Sequence, residues 1–283
     1  MTDNVMRKKA WGATGTQVSV IGQGTWYIDR ANHAAAVAAL QQGLDLGMTH
    51  IDTAEMYDDA ELVVADAIKG RRDEVFLVSK VLPSNASRAG TIKAAERSLS
   101  RMRTDRMDCY LLHWRGGHPL EDTVDAFEQL KKDGKILSWG VSNFDADDLQ
   151  EIHDAGKGKI ACNQVLYHLK ERAIEHSVIP WCEAHGVTVT AYSPFGHSDF
   201  PSARSEGGQV LQRIADAHGA TPRQVALAFL TRAPSVVTIP KASSAAHAAE
   251  NAAAGGLTLT AAEIAQIDKA FPRGREPSHL PMI

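Results

Sequence analysis

The 283 residues, 44% of them hydrophobic, suffice for one large buried core; an eight-stranded α/β barrel needs about 250. Formal net charge is −4, and the 30 basic residues are scattered rather than striped, which argues against nucleic acid as a partner. No apolar run approaches the ~18 residues of a membrane span, the start of the chain lacks the apolar stretch of a signal peptide, and the three cysteines (Cys109, Cys162, Cys182) form neither a disulfide framework nor a metal motif.

A cytoplasmic protein with no membrane association is therefore expected. With no linker-like segment and no charge block, residues 1–283 read as a single domain.

Two short strands, 8–11 and 17–18, flank Gly12, Thr14 and Gly15 and predict an N-terminal hairpin. The first strand of a larger sheet covers 20–24. An Ala-rich amphipathic helix follows over 34–46, with Gly47 placed to end it. Strand and helix then alternate: strand 49–52, helix 61–69 closed by Gly70, strand 75–79, helix 89–102, strand 107–113, helix 122–133 closed by Gly134. The second half continues with strand 136–141, helix 146–155 capped by Asp145, strand 161–166, helix 178–185 and strand 187–191. Helices over 209–218 and 223–232, the latter opened by Thr221-Pro222, precede strand 236–239. A helix starts near Ser244, and a last one over 261–271 carries a capping box, Thr260 with Glu263 three positions on.

Eight near-continuous apolar strands separated by helices predict a parallel closed sheet. The fold class is α/β, a (β/α)8 TIM barrel with an N-terminal β-hairpin cap and an extra C-terminal helix. An open doubly wound sheet is disfavoured, because Gly22-Gln23-Gly24-Thr25-Trp26-Tyr27 lacks the third glycine of a dinucleotide loop.

In such a barrel the loops after the strand C-termini share one mouth. Three successive strands run out on Asp52, Lys80 and His113, and Tyr57 follows five positions after Asp52. A phenol has a pKa near ~10 in water, and a neighbouring ammonium can lower it by ~1–3 units. Lys80 can supply that charge and Asp52 can hold Lys80 protonated, so Tyr57 is expected to donate a proton to a developing alkoxide while His113 orients the same oxygen. Each residue alone has a plainer reading, as a helix cap, a lysine reaching for solvent or a structural histidine. Three on consecutive strands, with a tyrosine in reach, point to a site for addition to a carbonyl.

The eighth strand runs into Thr238-Ile239-Pro240-Lys241-Ala242-Ser243-Ser244. Lys241, the hydroxyls and a helix N-terminus make a reasonable anion cradle, although a Ser-capped helix is common in its own right. Ser142-Asn143, Gln164 and Tyr192-Ser193 end the intervening strands, with amide and hydroxyl groups suited to a flat carboxamide ring and an aromatic face to stack on it. Trp26 and Trp114 are candidate walls of a substrate pocket; large aromatics also plug barrel tops. No second carboxylate sits at a strand end, against a glycosidase, and the histidines lack zinc spacing, so no metal is expected. A Schiff-base aldolase on Lys80 is the competing enzyme class. A nucleotide-binding partner subunit without turnover is the non-enzymatic one.

The chain resembles the aldo-keto reductase superfamily across essentially its whole length. The motifs are Gly24-Thr25-Trp26, Asp52-Thr53-Ala54-Glu55-Met56-Tyr57, Val78-Ser79-Lys80, Leu111-Leu112-His113-Trp114, Gly140-Val141-Ser142-Asn143-Phe144, Asn163-Gln164, Tyr192-Ser193-Pro194, Ile239-Pro240-Lys241 and Ala249-Glu250-Asn251, in the family's order. The resemblance implies metal-free reduction of aldehydes or ketones with NADPH. It makes Tyr57 the proton donor, Lys80 and Asp52 its tuners and His113 the substrate-orienting residue. Ser142, Asn143 and Gln164 match the carboxamide-binding positions, Tyr192 the residue stacked on nicotinamide, and Lys241, Ser243 and Ser244 the 2′-phosphate cradle, with Glu250 and Asn251 toward adenine. Thr25 and Ser193, in the same motifs, are placed with the cofactor.

His247 stands where the family often has an arginine against the 2′-phosphate. A neutral imidazole contributes less there than a guanidinium fork, which makes NADH a usable second cofactor. The short tail after Phe271 and the compact segment 196–207 predict an open pocket for small aldehydes, and the mostly polar helix faces predict a monomer.

Overall fold

The computed structural model describes residues 5–283; residues 1–4, part of the stretch read as lacking a signal peptide, lie outside the described residues. An antiparallel hairpin of β1 (Lys8–Ala10) and β2 (Gln17–Ser19) precedes eight parallel strands: β3 (Gln23–Gly24), β4 (His50–Asp52), β5 (Phe76–Val81), β6 (Met107–Leu112), β7 (Ile136–Ser142), β8 (Cys162–Leu166), β9 (Thr188–Tyr192) and β10 (Val236–Thr238). Each pairs with the next in sequence order, and parallel bridges from Ile21 to Thr238 and from Gly24 to Lys241 join the last strand to the first. The sheet thus closes as the (β/α)8 barrel expected. At the seam a Cβ on Gly24 would lie 2.5 Å from the Ile239 carbonyl oxygen, so only glycine lets these backbones meet.

The ten α-helices among the described residues are α1 (His33–Asp45), α2 (Ala60–Ala67), α3 (Arg88–Met102), α4 (Leu120–Lys132), α5 (Ala146–Ala155), α6 (Val178–His185), α7 (Glu206–His218), α8 (Pro222–Leu230), α9 (Ala245–Ala253) and α10 (Ala261–Ala270). Their starts follow side-chain chemistry. Asp145 accepts from Asp147 and Asp148 amides, Ser244 from His247, and Thr260 with Glu263 forms the expected capping box. Thr221 with Gln224 forms a second capping box, which the residue pattern had shown only as Thr221-Pro222. Gly47, Gly70 and Gly134 all take positive φ just past their helices, as chain-ending glycines do.

The main core fills the space between sheet and helices, from Leu40 and Val64 through Phe127, Trp139 and Val189 to Phe229. A smaller cluster of Trp11, Val18, Phe76, Val78, Cys109 and Leu111 brings hairpin and barrel residues together. Lys9 joins the hairpin to the end of α8: its ammonium donates to the carbonyls of Thr231, Ala233 and Val236 at 2.6–2.7 Å.

A second polar knot fixes where the C-terminal tail begins. Arg172 donates to the Phe271 carbonyl (2.6 Å) and pairs with Glu175 and Asp268 (2.7 Å each), while Arg232 reaches Glu175 at 3.0 Å and Tyr167 donates to the same carboxylate. Burial would raise the Glu175 carboxyl, but the hydrogen bonds from Arg172, Tyr167 and Arg232 outweigh it and bring it down to about 2. A depressed carboxyl contributes stability above its unfolded pKa of 4.5 that is lost as pH falls toward 2. Glu175→Gln is therefore expected to lower stability at pH 7 by about 1–3 kcal/mol. In urea titrations the gap from the unsubstituted protein should narrow below pH 4.5; a gap independent of pH would contradict this origin.

Candidate active site

One cavity of about 540 Å³ opens at the C-terminal mouth of the barrel. Its walls include Thr25, Trp26, Asp52, Tyr57, His113, Trp114, Ser142, Asn143, Gln164, Tyr192, Ser193 and Lys241. Residues from seven different strand ends thus converge, as the parallel topology requires. Lys80 lies behind this surface. It sits inside β5, not past its end as the 75–79 strand implied, and its side chain is wholly buried.

The Lys80 ammonium uses all three of its hydrogens. It donates to Asp52 Oδ1 (2.5 Å), the Thr53 carbonyl (2.8 Å) and the Tyr57 hydroxyl oxygen (3.4 Å). Asp52 Oδ2 accepts from Gln164 Nε2 at 2.7 Å, so both carboxylate oxygens are bonded. Tyr57 accepts in its contact with Lys80, and its own hydrogen is left for a group in the cavity. Burial pushes the Lys80 amine down, but the charge and hydrogen bonds of Asp52 and Tyr57 outweigh it, and the amine is held above its ordinary value. For Asp52 burial raises the carboxyl further than Lys80 and Gln164 lower it. These directions compete within one pair; the short contact and complete hydrogen bonding favour the charged form of both.

Tyr57 departs from expectation. Burial raises its hydroxyl more than Lys80 lowers it, and the Asp52 charge adds to the rise. The phenol is thereby kept protonated at neutral pH rather than made acidic. His113 stands 5.6 Å from Tyr57, ring to ring and edge-on. Burial, then Lys80, lowers its imidazole to about 2, so it is neutral, and its buried Nδ1 has no protein partner.

The amide-bearing strand ends are interlocked. Ser142 Oγ donates to the Gln164 carbonyl (2.8 Å), Asn143 Nδ2 donates to the His113 carbonyl (3.1 Å) and to Ser142 Oγ (3.2 Å), and Tyr192 donates to Asn143 Oδ1 (2.9 Å). Tyr27, Asn143 and Ser193 line the cavity with left-handed backbone, φ 61, 61 and 49°. Each such non-glycine position costs on the order of 1–2 kcal/mol and persists only where the surroundings impose it.

The donor set fits a nicotinamide nucleotide. Gln164 spends one amide hydrogen on Asp52, leaving the other and Oε1 for a carboxamide. Lys241 donates only to Ser243 Oγ (2.9 Å) and, among the described residues, has no carboxylate partner, so its charge is available to a phosphate. Ser243, Ser244, His247, Glu250 and Asn251 do not line the cavity; they continue from Lys241 into α9. Ser244 is occupied capping His247, and Glu250 accepts from Thr221 Oγ1 (2.9 Å). Asn251 is buried.

Short as it is, the tail after Phe271 reaches the pocket. Met282 and Ile283 fold back to line the cavity beside Phe195, Gly196 and His197, and the Ile283 amide bonds the Tyr192 hydroxyl. Met56 and Tyr27 also belong to the wall. Met56 lies within a motif quoted from the sequence and Tyr27 directly follows one, whereas nothing in hydrophobic period places the tail.

The family model for the Aldo/keto reductase family matches residues 20–271. Methylglyoxal reductase YeaE of Escherichia coli (strain K12) is 46% identical over 268 residues, covering 93% of this chain and 94% of the relative. Glyoxal reductase of Bacillus subtilis (strain 168) is 32% identical over 257 residues, with 90% and 89% covered. Among solved structures, an aldo/keto reductase from Klebsiella pneumoniae in complex with NADP and acetate superposes with a TM-score of 0.91 at 43% identity, covering 98% of this chain and 100% of that one.

The buried pair generates a stability prediction. Asp52→Asn leaves the Lys80 ammonium enclosed without a counter-charge, and chemical denaturation should show a loss of about 3–5 kcal/mol. A change below 1 kcal/mol would mean that the pair is not charged in the folded protein.

Proposed function

The chain belongs to the aldo/keto reductase family and reduces carbonyl compounds with NADPH; within that reaction we propose that Tyr57 is the proton donor and that small 2-oxoaldehydes are the substrates. The observation that carries the first part is the buried Asp52–Lys80 pair, whose third hydrogen bond goes to Tyr57 at 3.4 Å. The similarity to proteins named methylglyoxal and glyoxal reductases supports the second.

NADPH, when bound, supplies the hydride that forms the new C–H bond. Ser142, Asn143 and Gln164 would hold its carboxamide, Tyr192, Thr25 and Ser193 would hold the nicotinamide ring, and Lys241 with Ser243 and Ser244 would take the 2′-phosphate. His247, Glu250 and Asn251, further along α9, would serve the adenine end. As the carbonyl π pair moves onto oxygen, Tyr57 gives its proton to that oxygen and becomes a phenolate. Lys80 stabilises the phenolate, because its ammonium already donates to the phenolic oxygen. A raised phenol pKa suits this order of events: the donor is loaded at neutral pH, and the neighbouring charge acts when the proton leaves. The neutral His113 imidazole offers its single N–H to the same oxygen and fixes its approach. Trp26 and Trp114 form apolar walls against the rest of a small substrate.

An aldolase built on Lys80 has little support, since an ammonium with all three hydrogens bonded and no exposure is a poor nucleophile. A nucleotide-binding partner subunit without turnover would have no need for a buried Asp52–Lys80 pair presented to the Tyr57 hydroxyl. We further infer one domain, a monomer and a cytoplasmic setting. Of the exposed large hydrophobics among the described residues, Met56, Met282 and Ile283 line the cavity, and Val5, Leu46 and Leu137 do not. All three cysteines are buried and free.

Tyr57→Phe should cut kcat for methylglyoxal by roughly 10²–10⁴ with NADPH binding unchanged; undiminished turnover would refute the assignment. Because the His113 imidazole protonates only near 2, kcat should show no inflection from it between pH 5 and 8. An inflection there that disappears in His113→Asn would contradict the neutral ring.

A further inference from the structure

Tyr57 sits in the loop 53–59 between β4 and α2, and that loop is held from outside the cavity on both sides of the tyrosine. Before it, Glu55 Oε1 accepts from the Leu82 amide (2.6 Å) and from Asn85 Nδ2 (3.0 Å), and Glu55 Oε2 pairs with Arg97 (3.1 Å). Directly after it, Asp58 takes left-handed backbone, φ 40°. A side chain disfavours that conformation by roughly ten-fold, so a contact elsewhere has to impose it.

Arg101 makes that contact. It lies in the last turn of α3, one turn beyond Arg97 and so on the same helix face. Its Nη2 donates to the Asp58 carbonyl (2.5 Å) and to Asp59 Oδ1 (3.2 Å), and its Nε donates to Glu61 Oε2 (3.0 Å). Glu61, in the first turn of α2, is buried, and its other oxygen accepts from Ser79 Oγ at 3.1 Å. Ser79 precedes Lys80 on β5, and successive strand side chains point to opposite faces. The strand thus holds Glu61 with its outer side chain and Tyr57 with its inner one. The turn at Asp58 lies between those two anchors and decides how closely Tyr57 approaches Lys80. At 3.4 Å this is the longest of the three Lys80 bonds and near the limit for one, so a small retreat of the turn breaks it. Glu61, Ser79 and Arg101 do not line the cavity.

We propose that Arg101, seated on Glu61, is a positioning residue that fixes the left-handed turn at Asp58 and so holds the Tyr57 hydroxyl against Lys80. The proposal rests on the reading of Tyr57 as the proton donor. Without the guanidinium the turn relaxes toward right-handed backbone, and Tyr57 is in place for only a fraction of the time. Cofactor and substrate are gripped by other residues, so the loss falls on turnover rather than on binding. Asp58→Gly removes the strain that Arg101 works against, since glycine takes positive φ about as readily as negative.

The test is turnover of methylglyoxal by the full-length protein, in the steady state and in the first turnover, read as loss of NADPH absorbance. Arg101→Met should lower kcat and the first-turnover rate roughly ten-fold, with KM for methylglyoxal and Kd for NADPH within about three-fold. Adding Asp58→Gly should return both rates to within about three-fold of the Asp58→Gly protein. In the Tyr57→Phe background Arg101→Met should cost nothing further, because the group it positions is gone. Where thermal melting shows Arg101→Met unfolded, Glu61→Gln combined with Arg101→Met strands no buried charge and should give the same three results. An unchanged kcat, or a loss carried by KM or Kd, would overturn the proposal. A loss that Asp58→Gly does not recover, or that persists in full with Tyr57→Phe, would also overturn it, because an arginine that only stabilises the fold gives that pattern. Undiminished turnover by Tyr57→Phe would instead refute the reading of Tyr57 itself, and the role of Arg101 with it.

Discussion

The rest of the site depends on one ion pair held inside the barrel. Enclosing a carboxylate and an ammonium costs several kcal/mol for each ion, and only close contact and complete hydrogen bonding offset that. Asp52 and Lys80 meet both conditions: the pair is 2.5 Å apart, Gln164 takes the second carboxylate oxygen, and Thr53 and Tyr57 take the remaining lysine hydrogens. Removing any one of these partners leaves a buried charge or donor unsatisfied. The same bonds that make the pair tolerable also fix Tyr57 against Lys80 and turn Gln164 toward the cavity. Stability and chemistry are therefore constrained by one set of contacts.

The two ends of the cavity are built on different physics. At the inner end, adjacent parallel strands place Asp52, Lys80, Ser142 and Gln164 by register, with Asp52 paired to Val78 and Ser142 to Gln164. Such positions move little, because the whole closed sheet would have to move with them. At the outer end the wall is made of segments without regular structure, the stretch after β9 and the C-terminal tail. These are held by side chains: Arg223 against the rings of Phe195 and Phe200, which meet each other edge-on, and Arg172 on the Phe271 carbonyl.

The sequence carried the inner end well and the outer end poorly, for the same reason. Strand and helix periods, with Asp145, Ser244 and Thr260 as helix starts, located nearly every element to within a few residues, because those signals are local. The polar strand ends were legible because a barrel converts sequence order into convergence. What period does not encode is the path of a loop. Met282, Ile283 and His197 entered the cavity unannounced, and the tail that looked too short to cover the pocket helps to line it. The direction of the Tyr57 shift was also missed, since the ammonium was visible in the sequence and the depth of burial that outweighs it was not.

Lys80 is a buried ammonium, kept charged by Asp52 and presented to Tyr57. Carbon-13 NMR of side-chain-labelled lysine, assigned by comparison with Lys80→Met and titrated with pH, reads that charge directly. The Lys80 Cε resonance is expected to stay at the protonated position through pH 10 and to titrate only above the ordinary lysine value of 10.5. A Cε resonance at the neutral-amine position at pH 7 would contradict it.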